Sequence, residues 1–367
     1  MWTTSLTGPD SHLRIVILAG GIGSRFWPAS TPARPKPLLA LGGSGIPLIR
    51  ETVDRALALV PADRLSILTG EHLVAPFLGA LPEVERRHLW IEPRARGTGP
   101  VLAWAAHRIH REDPDAVMVS LHSDHVIHPG EALIQLIPEA ASLIRSLDLI
   151  GTIAVPPNRP ETGYGYIRPG EPLTRMPVEE APGGVRSLVG FRVEAFVEKP
   201  ELSQAREYVA QGYLWNSGIF ILPVARFLEE VREHAPEISR HLHFLDEGDE
   251  AAFFDAVPTV SVDEAVLERS ERVGAVRATF AWDDVGSWES LSRTLQADGA
   301  GNFSMGEVHA IDARDSIVWS EEGPVVLYGV EGLVVVRSGG VTFVASREAA
   351  GEMKKFLAQL PERLTDR

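Results

Sequence analysis

Cysteine is absent from all 367 residues. This excludes disulfides, thiolate zinc sites and a cysteine nucleophile, and it leaves the redox compartment open. Basic residues are in deficit: 35 Lys and Arg face 50 Asp and Glu, for a formal charge of −15. Such a chain has no general basic face with which to track a nucleic-acid backbone or hold anionic lipid. Neither nucleic acid nor membrane is therefore expected as a partner, although a local basic cluster can still take a small phosphorylated ligand. Long apolar runs are missing too, with nothing approaching the roughly 18 residues of a spanning helix. Met1 to Leu13 lacks both the basic start and the apolar centre of a secretory signal, so a cytoplasmic setting is expected.

What is present suits a large folded unit. Apolar residues make up 44% and charged residues 23% of the chain. At roughly 150 residues per domain, one large domain with an appendage or two domains is expected. No internal repeat or low-complexity tract interrupts the sequence. Short apolar, β-branched runs at 14–19, 65–69, 88–91 and 116–121 alternate with helical patterns at 46–59, from 71, at 99–110 and at 132–145. That alternation predicts βαβ units and a doubly wound, mostly parallel α/β sheet. From 156 to 222 prolines, glycines and short β-like pieces (165–167, 191–193, 195–197) suggest an insertion, with helices at 202–210 and 224–234. After Asn302, alternating segments at 308–311, 316–319, 325–328, 333–336 and 341–344 predict a small all-β appendage, closed by a helix at 348–360. The expected partition is a flexible 1–13, a main domain over 14–295, and a β-rich unit over 300–367.

The segment richest in chemistry is Leu18-Ala19-Gly20-Gly21-Ile22-Gly23-Ser24-Arg25-Phe26-Trp27-Pro28, followed by Arg34-Pro35-Lys36-Pro37. Glycines directly after a strand let backbone N–H groups approach a phosphate. The dinucleotide fingerprint fails because position 26 is Phe where a third glycine is needed. The P-loop fails because Lys36 sits between prolines. A glycine turn with Arg25 and Lys36 remains, and two cations beside a run of N–H donors suit a triphosphate that leaves as pyrophosphate. Alone, the glycines would also fit a tight strand-to-helix turn.

This string resembles the signature loop of the sugar-1-phosphate nucleotidylyltransferases, and Trp27 points to their mannose-1-phosphate guanylyltransferase branch. Further matches follow in order: Glu92-Pro93 with Gly97-Thr98-Gly99-Pro100, Ser123-Asp124-His125, Thr162-Gly163-Tyr164-Gly165-Tyr166-Ile167, Phe196-Val197-Glu198-Lys199-Pro200, Trp215-Asn216-Ser217-Gly218 and Trp282-Asp283-Asp284-Val285-Gly286-Ser287-Trp288. The resemblance runs from about 14 to 290 and more weakly through the appendage.

It implies transfer of GMP from GTP to mannose 1-phosphate by in-line attack, with Arg25 and Lys36 neutralising the triphosphate. It implies that Leu18 to Gly21, Gly23 and Ser24 bind nucleotide, with Glu92 and Thr98 at the base. For Thr98, a helix N-cap is an equal reading. Gly163, Tyr164, Gly165, Glu198, Lys199 and Asn216 are implied around the sugar phosphate, and Asp124 with Asp284 as ligands of Mg2+, whose preference for hard oxygen suits them. His122 and His125 are expected to be structural, Asp283 to face outward or cap the turn from Gly286, and Trp215 to be core.

The chain is shorter than members carrying a fused isomerase domain, and a homodimer is expected on family grounds. Pro37 stands where the branch has Gln, Gly97-Thr98-Gly99 where it has Asn-Thr-Ala, and His122-Ser123 where it has Pro-Ala. Nucleotide and sugar preference therefore stay open. A catalytically inactive nucleotide-sugar sensor is the alternative of another class.

Overall fold

The structure, a computed structural model, describes residues 12–21, 23–173 and 188–365. Ile22, most of the segment expected to be flexible and part of the 156–222 stretch lie outside the described residues. The strands of the main domain are β1 Leu13–Leu18, β2 Leu65–Thr69, β3 Leu89–Ile91, β4 Val117–His122, β5 Val126–His128, β6 Ile150–Val155, β7 Gly165–Pro172, β8 Gly190–Glu198, β9 Leu214–Pro223, β10 Val273–Arg277 and β11 Ala281–Asp283. Nine of them form one sheet in the order β3-β2-β1-β4-β9-β6-β10-β8-β7. The β3-β2-β1-β4 half is wholly parallel, while β9 and β8 run against their neighbours.

β1 shows why its sequence is an unbroken apolar run. Ile15 and Ile17 pack on one face with helices α1 (Leu48–Leu59), α2 (Val74–Ala80) and, further along the same face, Leu133 and Ile137. Val16 packs on the other with Leu102, Trp104 and Phe227. Those come from α3 (Thr98–Glu112) and, further on, residues 224–234; Leu133 and Ile137 belong to α4 (Gly130–Ser146). A strand covered on both faces cannot carry the polar alternation of a half-exposed one. Two further helices, α5 (Leu202–Ala210) and α6 (Val224–His234), fall where periodicity predicts them.

Three core strands, β6, β9 and β10, go beyond the strands expected from the apolar runs. The first half of β9 reads Trp-Asn-Ser-Gly, a turn-like string, yet it lies buried within the sheet, whose neighbours there include β6. Its polar atoms are satisfied inside the sheet: Ser217 Oγ donates to Ile153 O at 2.7 Å, and Thr152 Oγ1 to Asn216 Oδ1 at 2.8 Å. The two short pieces at 191–193 and 195–197 are one strand, β8.

The C-terminal strands are β12 Phe303–Met305, β13 Val308–Ile311, β14 Ile317–Ser320, β15 Val325–Tyr328, β16 Leu333–Ser338 and β17 Val341–Ser346. Successive strands alternate between two sheets, β12-β14-β16-β17 and β13-β15, paired in parallel until the final β16–β17 hairpin. The chain coils as a short solenoid. The closing helix expected over 348–360 is instead broken into Arg347–Ala350, Met353–Leu357 and Glu362–Thr365. Gly351 and Pro361 stand at the breaks, as residues that disfavour helix continuation should.

Candidate active site

Two elements deliver the phosphate end of the site. β1 and β4 are parallel neighbours, so the loop after Leu18 and the turn after His122 leave the same edge of the sheet, tied by Ser123 N–H donating to Leu18 O at 3.0 Å. Carboxyl ends of adjacent parallel strands are where ligands of open α/β sheets bind. β5 then pairs antiparallel with β11, placing Val126 opposite Asp283 and so carrying Asp284 toward Asp124 across a long stretch of sequence.

Lys36 joins them. Its buried Nζ donates to Asp124 Oδ2 at 2.9 Å and to the Asp284 carbonyl oxygen. Gly23 makes this possible: it has φ +71°, and a Cβ there would lie 2.2 Å from the Lys36 Cβ. Burial alone would raise the Asp124 carboxyl, but the Lys36 ammonium holds it well below the usual range. Asp284 moves the other way, raised by burial and partly offset by Tyr164, whose hydroxyl donates to Asp284 Oδ1 at 2.6 Å. Burial also pushes the Tyr164 phenol up, so it remains a donor. Val285, next to Asp284, has φ +44°, a conformation a β-branched residue adopts at a cost of about 1–3 kcal/mol.

Gly20, Gly21, Ser24 and Arg25 are exposed along the loop, and Arg25 has no ion-pair or hydrogen-bond partner among the described residues. Ala19 is buried and anchors the loop through its N–H to Leu68 O, while Leu18 ends β1. Glu92 lies beside Gly20, its Oε2 3.7 Å from where a Gly20 Cβ would stand and its Oε1 accepting from Arg96 N–H at 3.0 Å. Burial raises this carboxyl, partly offset by the Arg96 N–H. Thr98 is the first residue of α3 rather than its N-cap, which is Gly97, and its hydroxyl accepts from Val262 N–H at 2.9 Å.

Glu198, at the end of β8, sits opposite Gly165 and accepts from Lys199 Nζ. Lys199 is exposed, has φ +48°, and donates its N–H to Tyr164 O at 3.2 Å. Gly163 is exposed and donates to Glu161. Tyr164 is buried against Trp215 and Trp282, with its hydroxyl on Asp284. Tyr164 thus links the sugar-side loop to the carboxylate corner.

Asp283 is buried rather than outward-facing. It accepts from Val285 N–H at 2.8 Å and from Arg293 Nη2 at 2.9 Å, so it shapes the turn that presents Asp284. His122, Asp124 and His125 lie close enough for a metal to touch all three. His125 Nδ1, however, accepts from Trp282 Nε1–H at 3.1 Å. Burial favours the neutral form of that imidazole, and its Nδ1 is engaged by the Trp282 N–H. Asp124 and Asp284 bring carboxylate oxygens to the same corner.

The signature loop is also braced from outside. Phe26 and Trp27 share an apolar cluster with Trp288, Trp319, Val336 and Phe343. Trp27 Nε1 donates to Leu364 O at 3.0 Å, and Arg34 grips Glu321 with both nitrogens, at 2.7 and 2.8 Å.

The nucleotidyl transferase family model matches residues 14–300, and a mannose-phosphate isomerase/GMP-like β-helix domain matches 306–360. The chain is 35% identical to mannose-1-phosphate guanylyltransferase of Escherichia coli K12, over 96% of its own length and 74% of the relative's. It belongs to the nucleotidyl transferases, among the mannose-1-phosphate guanylyltransferases. The alginate biosynthesis protein AlgA of Pseudomonas syringae pv. tomato is 33% identical, over 95% of this chain and 71% of that one. A crystal structure described as mannose-1-phosphate geranyltransferase from Thermus thermophilus superposes with a TM-score of 0.82 at 31% identity, covering 95% of this chain and 99% of the other. Among the described residues no helix is long and apolar enough to cross a membrane.

Within this guanylyltransferase fold, sequence reading missed Asp263, Thr152 and Arg159. Asp263 accepts from Asn216 Nδ2 at 2.8 Å, and Arg159 lies over Trp215 and donates to the Tyr164 hydroxyl at 3.1 Å. Ser261-Val-Asp-Glu before an apolar run reads as an ordinary helix start. Nothing in that local pattern points to β9.

Proposed function

We infer that the chain transfers GMP from GTP to mannose 1-phosphate, giving GDP-mannose and pyrophosphate. The observation that carries this reading is the convergence of Lys36, Asp124 and Asp284 beneath the glycine loop, in a chain so similar to curated mannose-1-phosphate guanylyltransferases. A phosphate oxygen of the sugar phosphate attacks the α-phosphorus of GTP in line. The bond to the bridging oxygen breaks, and pyrophosphate leaves with that electron pair. No covalent enzyme intermediate is required, so catalysis is positioning and charge neutralisation.

The N–H groups of Gly20, Gly21, Gly23 and Ser24, with Arg25 and Lys36, receive the triphosphate. Arg25 has no competing partner to release among the described residues, whereas Lys36 is already fixed. Asp124 and Asp284 fit a divalent cation of the family: the one ammonium of this corner pairs with Asp124 alone, and burial leaves the Asp284 carboxylate, held by the Tyr164 hydroxyl, short of neutralising charge. Hard oxygen donors favour Mg2+, which when bound there supplies positive charge beside the phosphates. Glu92 offers an acceptor to the guanine N1–H and amine, with Thr98 nearby in the same turn. Glu198, Lys199, Asn216 and the Gly163–Gly165 loop hold the sugar phosphate.

Pro37 is buried in the turn that carries Lys36, which supports a role in shaping that turn. The exposed apolar residues Ile311, Val326, Tyr328 and Val344 on the appendage support a homodimer, which light scattering would test. Soluble nucleotide and sugar-phosphate substrates support a cytoplasmic setting. The deciding experiment is pyrophosphate release with Mg2+, crossing GTP, ATP, UTP and dTTP against several sugar 1-phosphates. Release mainly with GTP and mannose 1-phosphate is expected. Release with another pair keeps the chemistry and moves the specificity; silence with retained nucleotide-sugar binding would replace the enzyme by a sensor.

A further inference from the structure

Asn216 has an amide whose orientation is dictated on one side by the sheet. Its Oδ1 accepts from Thr152 Oγ1 at 2.8 Å and from Gly218 N–H at 3.3 Å. Its Nδ2 donates to Asp263 Oδ1 at 2.8 Å, and the second N–H of that amide has no partner among the described residues. An amide with both ends claimed cannot flip, so its remaining donor points one way.

Asp263 opens a single π-helical turn, Asp263–Leu267, and such turns recur at functional sites. The residues leading into it are tied to the other end of the cleft. Val260 N–H donates to Arg96 O at 3.1 Å, Gly99 N–H to Val260 O at 3.1 Å, and Val262 N–H to Thr98 Oγ1. Gly97 has φ +81°, and a Cβ on it would lie 2.6 Å from Val260 O, so the approach depends on glycine. One stretch of four residues therefore packs on the turn between Glu92 and α3 and also pins Asn216. Asp263 is not neutralised in return: burial and Glu198 push its carboxyl up to about 7, against the opposing pull of Lys199.

We propose that Asp263 is a positioning residue for the sugar phosphate, acting through Asn216, and that residues 260–263 set the sugar end of the site relative to the base end. This rests on the reading of Asn216 as a sugar-side residue of a nucleotidyl transfer site. Asp263 touches no reacting atom in this assignment. It fixes which way the Asn216 amide faces, and its loss would weaken sugar-phosphate binding while leaving nucleotide binding alone.

The test begins with the wild-type enzyme and the substrate pair it converts best. Failure of the wild type on every pair counts against the assigned reaction and is seen before any variant is made. With that pair, Asp263→Ala is expected to raise KM for the sugar phosphate about tenfold, the scale of a lost hydrogen bond to a charged group. KM for the nucleotide should move little by comparison. Asp263→Asn, which keeps an acceptor for Asn216, should recover most of the loss. Calorimetry should show weakened binding of the product nucleotide sugar and unchanged binding of the nucleoside diphosphate.

In an Asn216→Ala background, Asp263→Ala should have no further effect on sugar-phosphate KM. Equal and additive losses in the two backgrounds, or a fall in kcat with both KM values unchanged, would overturn the proposal. If Asp263→Ala fails to fold, Asp263→Asn and Asp263→Ser carry the same comparison, and identical sugar-phosphate KM in both and in the wild type would overturn it.

Discussion

The phosphate end and the sugar end of this site are braced from opposite sides. At the phosphate end, the loop carrying Arg25 and Lys36 is clamped from outside by the C-terminal solenoid, through Trp27, Arg34 and the shared apolar cluster. One pair of its charges is already matched, Lys36 on Asp124, while Arg25 stays unpaired among the described residues. At the sugar end, Asn216 belongs to a central strand and is held from within the sheet, and Asp263 beside it is left undercompensated. Pairing buried charge makes a fixed geometry at the first end. Pinning a neutral amide achieves the same at the second, with one buried acid as the strained element.

Substitutions can break or sharpen that contrast. Lys36→Met should lower kcat roughly 1,000-fold, and should also lower the melting temperature because Asp124 loses its partner in a buried setting. Steady-state kinetics and thermal unfolding on the same preparation would check both. Arg25→Ala should lower kcat roughly 100-fold with the melting temperature unchanged, since Arg25 is exposed and unpaired among the described residues. If both variants unfolded at the wild-type temperature, the idea of a pre-neutralised corner would be wrong. Tyr164→Phe removes the hydroxyl that holds Asp284, and a fall of roughly tenfold in kcat/KM is expected.

Asp263 makes a prediction in pH. Its carboxyl titrates near 7 in the folded protein and near 3.8 otherwise, so the folded state holds an extra proton between those values. Stability is then greatest at the acid end of that window and declines as pH rises through it. Asp263→Asn should flatten the decline, measured as the melting temperature at pH 5 and pH 8. An unchanged slope would place Asp263 in a more solvated setting. The smallest effect is expected for Glu321→Gln, which loosens a half-exposed pair with Arg34. The change in stability should stay below about 1 kcal/mol and activity within roughly threefold.

Local signals identify one part of the fold and of the site well. The parallel half of the sheet is legible because strands buried on both faces have unmistakable apolar runs, and α5 and α6 because their periodicity is clean. The glycine loop with Arg25 and Lys36 is legible for a similar reason: the conformational need for glycine and the need for cations both leave marks on consecutive residues. The strand β9 is not, because Asn216, Ser217 and Gly218 look like a turn until partners such as Thr152 and Ile153 satisfy their polar atoms. The closing helix is shorter than its apolar spacing suggests because Gly351 and Pro361 outweigh that spacing.

What the sequence alone determined about this protein was its chemistry set: no thiolates, an acidic chain with one basic glycine loop, and carboxylates at strand ends. Which of those groups meet was decided only by the tertiary structure. The β5–β11 pairing sets Asp284 beside Lys36 and Tyr164, and the 260–263 stretch brings Asp263 to Asn216. Neither contact leaves a local trace. Both join residues dozens to hundreds of positions apart, and a backbone pattern read one segment at a time carries no information about which distant carboxylate will share a given ammonium or amide.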